Sequence, residues 1–281
     1  DVDRTDTDEP DAPGRTRRKY CYNILVSGLD DDNGGSDTNI LVRFDVPNKR
    51  IDLVSLPRDT LLHNEYRNNK LNFAYAKGGT ELLMEQIENL LGVPVDFYVT
   101  VNLKGFIALV DQIDGVDFDI PINMDYDDPY QDLHIHFTKG PRHLNGQEAM
   151  EVARSRHNND GTGYGTEDIG RIGTQQAFLK AVAKQLLQIG NVKNIPALVD
   201  IFCTYVKTDL TTGNLVWLGN EALNIGTENI HFATLPGDGS GYYNKQSVYV
   251  LDAQATCDLV NEALNPYNEA LTLEDMDILV P

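Results

Sequence analysis

Asp30, Asp37 and Arg58 are the residues whose types and positions first suggest chemistry in this chain. Each stands at the edge of a short apolar run that reads as a strand. YNILVSGLD ends at Asp30 and leads on to Asp31 and Asp32; TNILVRFDV starts just after Asp37; IDLVSLPRD stops at Pro57 and ends in Arg58 and Asp59. In open α/β sheets, ligands bind beyond strand ends, where loops converge. If the first and third strands run the same way, Asp30 and Arg58 become near neighbours, and Asp37 enters the second strand at that same end. Two carboxylates and a guanidinium would then share one rim. Carboxylate pairs suit Mg²⁺, which takes one or two of them together with phosphate oxygens. A guanidinium binds phosphate through paired hydrogen bonds. The combination points to a phosphate ester or a pyrophosphate. Asp31 and Asp32, inside DDDNGGSD, read more simply as a solvated turn.

A second group lies between Arg154 and Gln176. Asp168 stands where a helix N-cap belongs, which puts Arg171 in the first turn and Gln175 one turn further along the same face. A cation is ordinarily disfavoured at a helix N-terminus. It makes better sense there if it shares an anion with the exposed backbone N–H groups; a plain surface arginine is the alternative. Arg154 and Arg156, two residues apart, would diverge by about 200° on one helix, so either the helix ends there or only one of them reaches the site. Gly161, Gly163 and Gly165 make the following loop flexible enough to fold over a ligand. His134 and His136 alternate as on a strand; a metal pair there is the minor reading. There is no GxGxxG after a strand, no GxxxxGK[ST], no HExxH and no GxSxG. Trp217 and the tyrosines read as packing residues.

The elements that must position these residues alternate along the chain. Three strands are followed by a helix over GGTELLMEQIENLLGV, ended by Gly92. Hairpin spacing makes the second and third strands an antiparallel pair. Next come a strand (DFYVTVN), a helix (LKGFIALVDQIDG) and a strand (VDFDIPI). Residues 123–143 look irregular. LNGQEAMEVARSRH is helical, a glycine-rich loop follows, and IGRIGTQQAFLKAVAKQLLQIG forms a long helix. VKNIPALVDIFCTYV and TGNLVWLGNEALNIG read as helices, NIHFATLPG as a strand, and DAQATCDLVNEALN as a final helix. Such alternation describes helices packed on a sheet. The expectation is an α/β protein: a single-domain α-β-α sandwich over residues 20–281, with a mixed central sheet and helices on both faces. Residues 1–19 hold almost no large apolar side chain and read as a flexible linker.

Bulk properties narrow the class. The chain has 281 residues, a formal net charge of −20 and an apolar fraction of 41%. So acidic a surface disfavours nucleic acid as a partner and tolerates an anion only in a local basic pocket. The three cysteines, Cys21, Cys203 and Cys257, lack CxxC spacing, which argues against a structural zinc site. Cys203 and Cys257 could pair in an oxidising compartment, or all three thiols are simply buried. No run of about 18 apolar residues is present to span a membrane. The chain opens without Met, so we expect a trimmed N-terminus, with residues 1–19 as the stalk below a membrane anchor that is missing from this sequence.

Several blocks in one order carry a resemblance to the LytR-CpsA-Psr family over nearly the whole length after Tyr20. They are YNILVSGLD, GGSDTNILV, VSLPRDT, KLNFAYAKGG, FYVTVNLKGF, LVDQIDGVDFDIP, HLNGQEAMEVARSRH and DIGRIGTQQ. The resemblance implies an enzyme at the outer face of the cell membrane. It would move a wall glycopolymer, such as teichoic acid or capsular polysaccharide, from a polyprenyl-pyrophosphate carrier to peptidoglycan. It implies Mg²⁺ and pyrophosphate at Asp30 and Asp37, and pyrophosphate at Arg58. Lys70 would add positive charge, and Arg154, Arg156, Arg171 and Gln175 would complete the phosphate site. A channel between sheet and helices would hold the polyprenyl tail. Many members carry a second arginine three places after the one matching Arg171; here that place is Thr174, so one positive charge is lost.

The reaction so implied is phosphoryl transfer. A sugar hydroxyl attacks the glycan-side phosphorus and polyprenyl phosphate leaves, with Asp37 as a candidate base and the cations stabilising charge on the phosphate oxygens. Two alternatives stand beside it: a pyrophosphohydrolase with water as acceptor, and a module that binds polyprenyl phosphate without turnover.

Overall fold

The computed structural model describes residues 14–29, 35–66, 68–130, 133–155, 157–163, 174, 177–186, 200–201 and 204–281. Two compact units make up the chain: Asp1–Asn102 with Val206–Pro281, and Leu103–Tyr205.

The first unit is built on a mixed six-stranded sheet. In chain order its strands are β1 (Cys21–Leu29), β2 (Ser36–Asp45), β3 (Arg50–Leu56), β4 (Phe97–Val101), β9 (Val206–Thr208) and β10 (Ile230–Thr234). Across the sheet they lie β10-β3-β2-β1-β4-β9. β1 and β3 each pair antiparallel with β2, so they run in the same direction, as the strand-end argument requires. β1 also pairs parallel with β4, and β3 with β10. The near-continuous apolar run of β1 is the mark of a strand covered on both faces. Leu25 joins a core with Leu83, Ile87 and Leu90 of α1 (Leu71–Leu91) and Val260 of α5 (Ala253–Ala263). Tyr22, three residues away and so on the opposite face, packs edge-on against Trp217 of α4 (Thr212–Ile225), with ring centroids 6.1 Å apart. Helices therefore cover both faces of this sheet. The expected strands over DFYVTVN and NIHFATLPG are β4 and β10, and the expected helices at 212–226 and 252–265 are α4 and α5.

α1 begins earlier than its apolar stripe suggests. Helix runs from Leu71 and breaks at Gly79, whose φ of 68° and ψ of −156° are non-helical. It ends at Gly92, in the left-handed region at φ 66°, where an added Cβ would lie 2.4 Å from the Asp275 carbonyl oxygen. Only glycine suits both demands. A hairpin of β11 (Gly237–Tyr243) and β12 (Gln246–Leu251) completes the unit. Its turn residues Asn244 and Lys245 both have positive φ, the signature of a tight two-residue turn. Of the expected linker, residues 1–13 fall outside the described residues, but 14–19 are docked. Arg15 pairs with Asp275 at 2.6 Å, Arg18 with Asp45 at 2.7 Å, and Arg17 with Asp96. The basic residues of that stretch find carboxylates that the acidic domain holds ready.

The second unit has its own core. α2 (Leu103–Gln112), β5 (Val116–Ile120), β6 (Met124–Asp128), β7 (Leu133–Phe137), β8 (Gly140–Leu144) and α3 (Gly146–Arg154) contribute to it. Residues 123–143, expected to be irregular, instead hold three strands: β6 pairs antiparallel with β7, and β8 with β5. The strand-like alternation of His134 and His136 is that of β7; elsewhere in the stretch the tyrosines and prolines masked it. Residues 177–186 are helical, within the expected long helix. Most of the helix expected over VKNIPALVDIFCTYV lies outside the described residues, and Val206 at its end belongs to β9 instead. Among the described residues, no helix is long and apolar enough to cross a membrane.

Candidate functional site

A four-residue charge cluster sits at one end of the first unit's sheet. β3 stops at Leu56, and Pro57 begins a turn closed by Thr60, whose N–H and hydroxyl both donate to the Pro57 carbonyl, at 3.0 and 2.6 Å. That turn presents Arg58 and Asp59. It is pinned on two sides. The Tyr249 N–H donates to the Asp59 carbonyl at 2.9 Å, while the Leu71 and Asn72 N–H groups of α1's first turn donate to Thr60 and Arg58 carbonyls at 3.0 and 2.9 Å. Lys70, the N-cap of α1, lies opposite Leu61 in an isolated bridge.

Asp37 reaches the same end through a bulge. β1 and β2 pair Gly28 with Thr38 and then Leu29 with Ser36, so Asp37 is the extra residue. Bulges of this kind re-aim side chains beside functional sites. The β2–β3 pairing reaches Asn39 and Leu56, two residues short of Asp37 and Arg58 on their strands. The Arg58 guanidinium bonds the Asp37 carboxylate through Nη1, and its Nε lies 3.6 Å from Asp59 Oδ1. Lys70 Nζ lies 3.3 Å from Asp59 Oδ2. The four side chains are 19–40% exposed, so a ligand can reach them. Signs alternate along Asp37, Arg58, Asp59 and Lys70. A cation at a helix N-terminus opposes the helix dipole; Asp59 offsets that at Lys70.

Of the site residues expected from sequence, the structure brings Asp37, Arg58 and Lys70 together. Asp59, noted at the strand end but given no role, is the link between the last two. Arg154 belongs to the second unit, in the last turn of α3, where a cation complements the helix dipole. α3 ends there, with Ser155 extended as its C-cap at φ −60° and ψ 125°. The helix expected as far as His157 is therefore shorter, and of the two possibilities the sequence left open, the helix ends here. Asp30, Arg156, Arg171 and Gln175 lie outside the described residues, as do Asp168 and Cys203. Thr174 is helical and only 7% exposed; a full-length arginine would have little room in that setting.

The donors present fit the Mg²⁺ that the family pattern implies. Asp37 and Asp59 offer hard carboxylate oxygens, and Asp59 Oδ1 is buried with no hydrogen-bond partner among the described residues. A cavity of about 410 Å³ opens elsewhere, beside Arg18, Asp45 and Asn265. Asp45 ends β2 at roughly 27 Å from Asp37, at 3.4 Å per residue. Its lining of arginines, asparagines and acids suits no lipid tail, and it is separate from the charge cluster.

The model of the LytR_cpsA_psr family matches residues 3–265. The polyisoprenyl-teichoic acid–peptidoglycan teichoic acid transferase TagV of Bacillus subtilis is 32% identical over 252 residues, which are 85% of this chain and 62% of that protein. The chain thus spans less than two thirds of that relative's length. TagU of Bacillus cereus, named as the same kind of transferase, is 32% identical over 244 residues, 85% of this chain and 76% of that protein. The crystal structure of B. subtilis TagV superposes with a TM-score of 0.74 at 27% identity, covering 94% of this chain and all of that one.

Proposed function

The chain belongs to the LytR-CpsA-Psr family, and from that premise we propose that it transfers a glycopolymer from a polyprenyl-pyrophosphate carrier to peptidoglycan. The observation that carries the reading is the Asp37–Arg58–Asp59–Lys70 cluster, at the strand ends where the family's motifs converge. A polyprenyl donor resides in the membrane and a peptidoglycan acceptor lies outside it, so the proposed reaction belongs at the membrane's outer face. A teichoic acid or a capsular glycan would each serve as cargo for this chemistry.

Charge arithmetic shapes the mechanism. Two carboxylates against one guanidinium and one ammonium leave the cluster neutral. A pyrophosphate is strongly anionic, so its binding calls for further positive charge. Mg²⁺ held by Asp37, with Asp30 from the family pattern, would neutralise phosphate oxygens that carry charge in the transition state. Arg58 binds two phosphate oxygens as a fork, and Lys70 acts as a point charge beside it. The acceptor's hydroxyl oxygen forms a bond to the glycan-side phosphorus. The bond from that phosphorus to the bridging oxygen breaks, and polyprenyl phosphate departs with the electron pair. The hydroxyl proton passes to a carboxylate. Asp37 was the first candidate, and with Asp59 beside it one acid can serve the cation while the other takes the proton.

The test uses a lipid-pyrophosphate-linked glycan, with and without a peptidoglycan acceptor. Arg58→Ala should lower transfer by about 10²–10³-fold, the usual cost of one transition-state charge donor, with the circular dichroism spectrum unchanged. Full activity in that variant overturns the assignment. Phosphate release that ignores the acceptor would make the enzyme a pyrophosphohydrolase.

A further inference from the structure

The β6–β7 ribbon of the second unit carries a second cluster, which the transfer reaction does not use. Alternation along the two strands turns Met124, Leu133, Ile135 and Phe137 into the core, with Tyr126 packed beside them. The opposite face is left to Asp125, Asp127, His134 and His136. They stand in direct cross-strand pairs, Asp125 with His136 and Asp127 with His134. His136 Nδ1 is 2.7 Å from Asp125 Oδ1, and its Nε2 is 3.3 Å from Asp127 Oδ1. His134 Nδ1 bonds the same Asp127 oxygen. One ligand atom from each of Asp127, His134 and His136 falls within 4.8 Å of the others.

The ribbon is also fixed from outside. The Asp125 and Asp127 N–H groups donate to the side-chain oxygens of Asn158 and Asn159, at 2.8 and 2.7 Å. Asn159 returns its own N–H to the Asp125 carbonyl at 3.0 Å and its amide to the Asp127 carbonyl at 3.1 Å. An edge that would otherwise fray is held on both sides, so the side chains it carries are preorganised.

We propose that Asp127, His134 and His136 form a binding site for a divalent transition ion of the Zn²⁺ class, with Asp125 orienting His136. The donor set decides the ion: two imidazoles and a carboxylate suit Zn²⁺, whereas Mg²⁺ and Ca²⁺ take oxygen ligands. The Asp125–His136 contact is the arrangement that metal-binding histidines adopt. One ring nitrogen donates to a carboxylate, and this leaves the lone pair of the other for the ion. Tetrahedral zinc with bonds of about 2.0–2.1 Å spaces its ligand atoms by about 3.3 Å, the separation seen between His136 Nε2 and Asp127 Oδ1. The four side chains are 49–80% exposed, so an ion reaches them from solvent; the direct His134–Asp127 hydrogen bond opens to admit it, and water completes its shell. Bound there, it cross-links the two strands and steadies the 158–159 loop docked on them.

Calorimetric titration of the metal-stripped chain with Zn²⁺ tests this, with Co²⁺ absorption reporting the coordination geometry. One saturable ion per chain, intense tetrahedral Co²⁺ bands and a higher melting temperature with Zn²⁺ are expected. The double variant His134→Ala/His136→Ala should lose all three, and Asp125→Asn should weaken binding about 10–100-fold. His143→Ala removes another exposed histidine, paired with Asp117 at 2.8 Å, and should leave the affinity unchanged. No saturable binding by the parent chain overturns the proposal. So does equal binding by a double variant whose circular dichroism spectrum is native. Should that variant unfold, His134→Gln/His136→Gln takes its place and is read the same way.

Discussion

Asp59 is the residue whose importance emerges only when side chains are placed. It lies within reach of both cations of the cluster, 3.6 Å from Arg58 and 3.3 Å from Lys70. Residues that share an ion pair couple by about 0.5–3 kcal/mol. A double-mutant cycle of Asp59→Asn and Lys70→Met on transfer activity should therefore be non-additive, while strict additivity would show that Asp59 does not govern Lys70. In the sequence, Asp59 was visible only as one more charge after a strand. Asp37 and Arg58 were legible because strand direction alone brings them to one rim. Lys70 came only with the family resemblance: its approach depends on the Leu61–Lys70 bridge and on helix starting at Leu71, about two turns before the helix read from GGTELLMEQIENLLGV. Cys21 also takes its character from its surroundings, burial pushing its thiol up to about 11.

At the level of elements, β2 and β3 carry the site at one end and a buried ion network towards the other. Arg43 and Asp52 are direct cross-strand partners, 4% and 2% exposed at their side chains and 2.7 Å apart. Arg50 adds a second guanidinium, 2.8 Å from Asp52. Removing the acid leaves a buried guanidinium without its counter-charge, which costs about 3–5 kcal/mol. Asp52→Ala should lower stability in urea by that amount; a loss below 1 kcal/mol would mean that water or rearrangement compensates. The hairpin of β2 and β3 was legible in the sequence through its apolar alternation and short turn. β6 and β8 were not, and of β7 only the alternation of His134 and His136 was. Strands that bury one face only carry polar residues at every other position, and there the polar residues were histidine and aspartate, which read as loop. α2 and α3 cross closely, and an added Cβ at Gly146 would lie 2.2 Å from the Ile107 carbonyl oxygen. That close approach has no signature in the local sequence.

At the level of the whole molecule, the acidic chain uses its few basic residues as fasteners. Arg15 and Thr16 tie the start of the described chain to Asp275 and Glu269. The Asp275 carboxyl lies below its ordinary value of 3.8, chiefly through the Thr272 N–H and then through Arg15. Glu269 is lowered as well, first by the Thr16 N–H. A depressed carboxyl stabilises the folded state above its unfolded pKa, and that contribution is lost as pH falls through the folded one. Stability should therefore decline below about pH 4, less steeply in Asp275→Asn than in the parent; parallel acid titrations would refute the clasp. Taken by itself, the sequence determined the mixed α/β class, the β2–β3 hairpin and the family, and it made an acid–arginine rim conditional on β1 and β3 running the same way. These rest on local apolar periodicity, strand-end charges and motif order, all of which are written in consecutive residues. Tertiary structure alone decided the docking of residues 14–19, the Asp59 link, the Asp37 bulge and the Asp–His face of the β6–β7 ribbon. Each of these depends on pairing register or on a partner distant in the chain, and no local window holds both halves of such a contact.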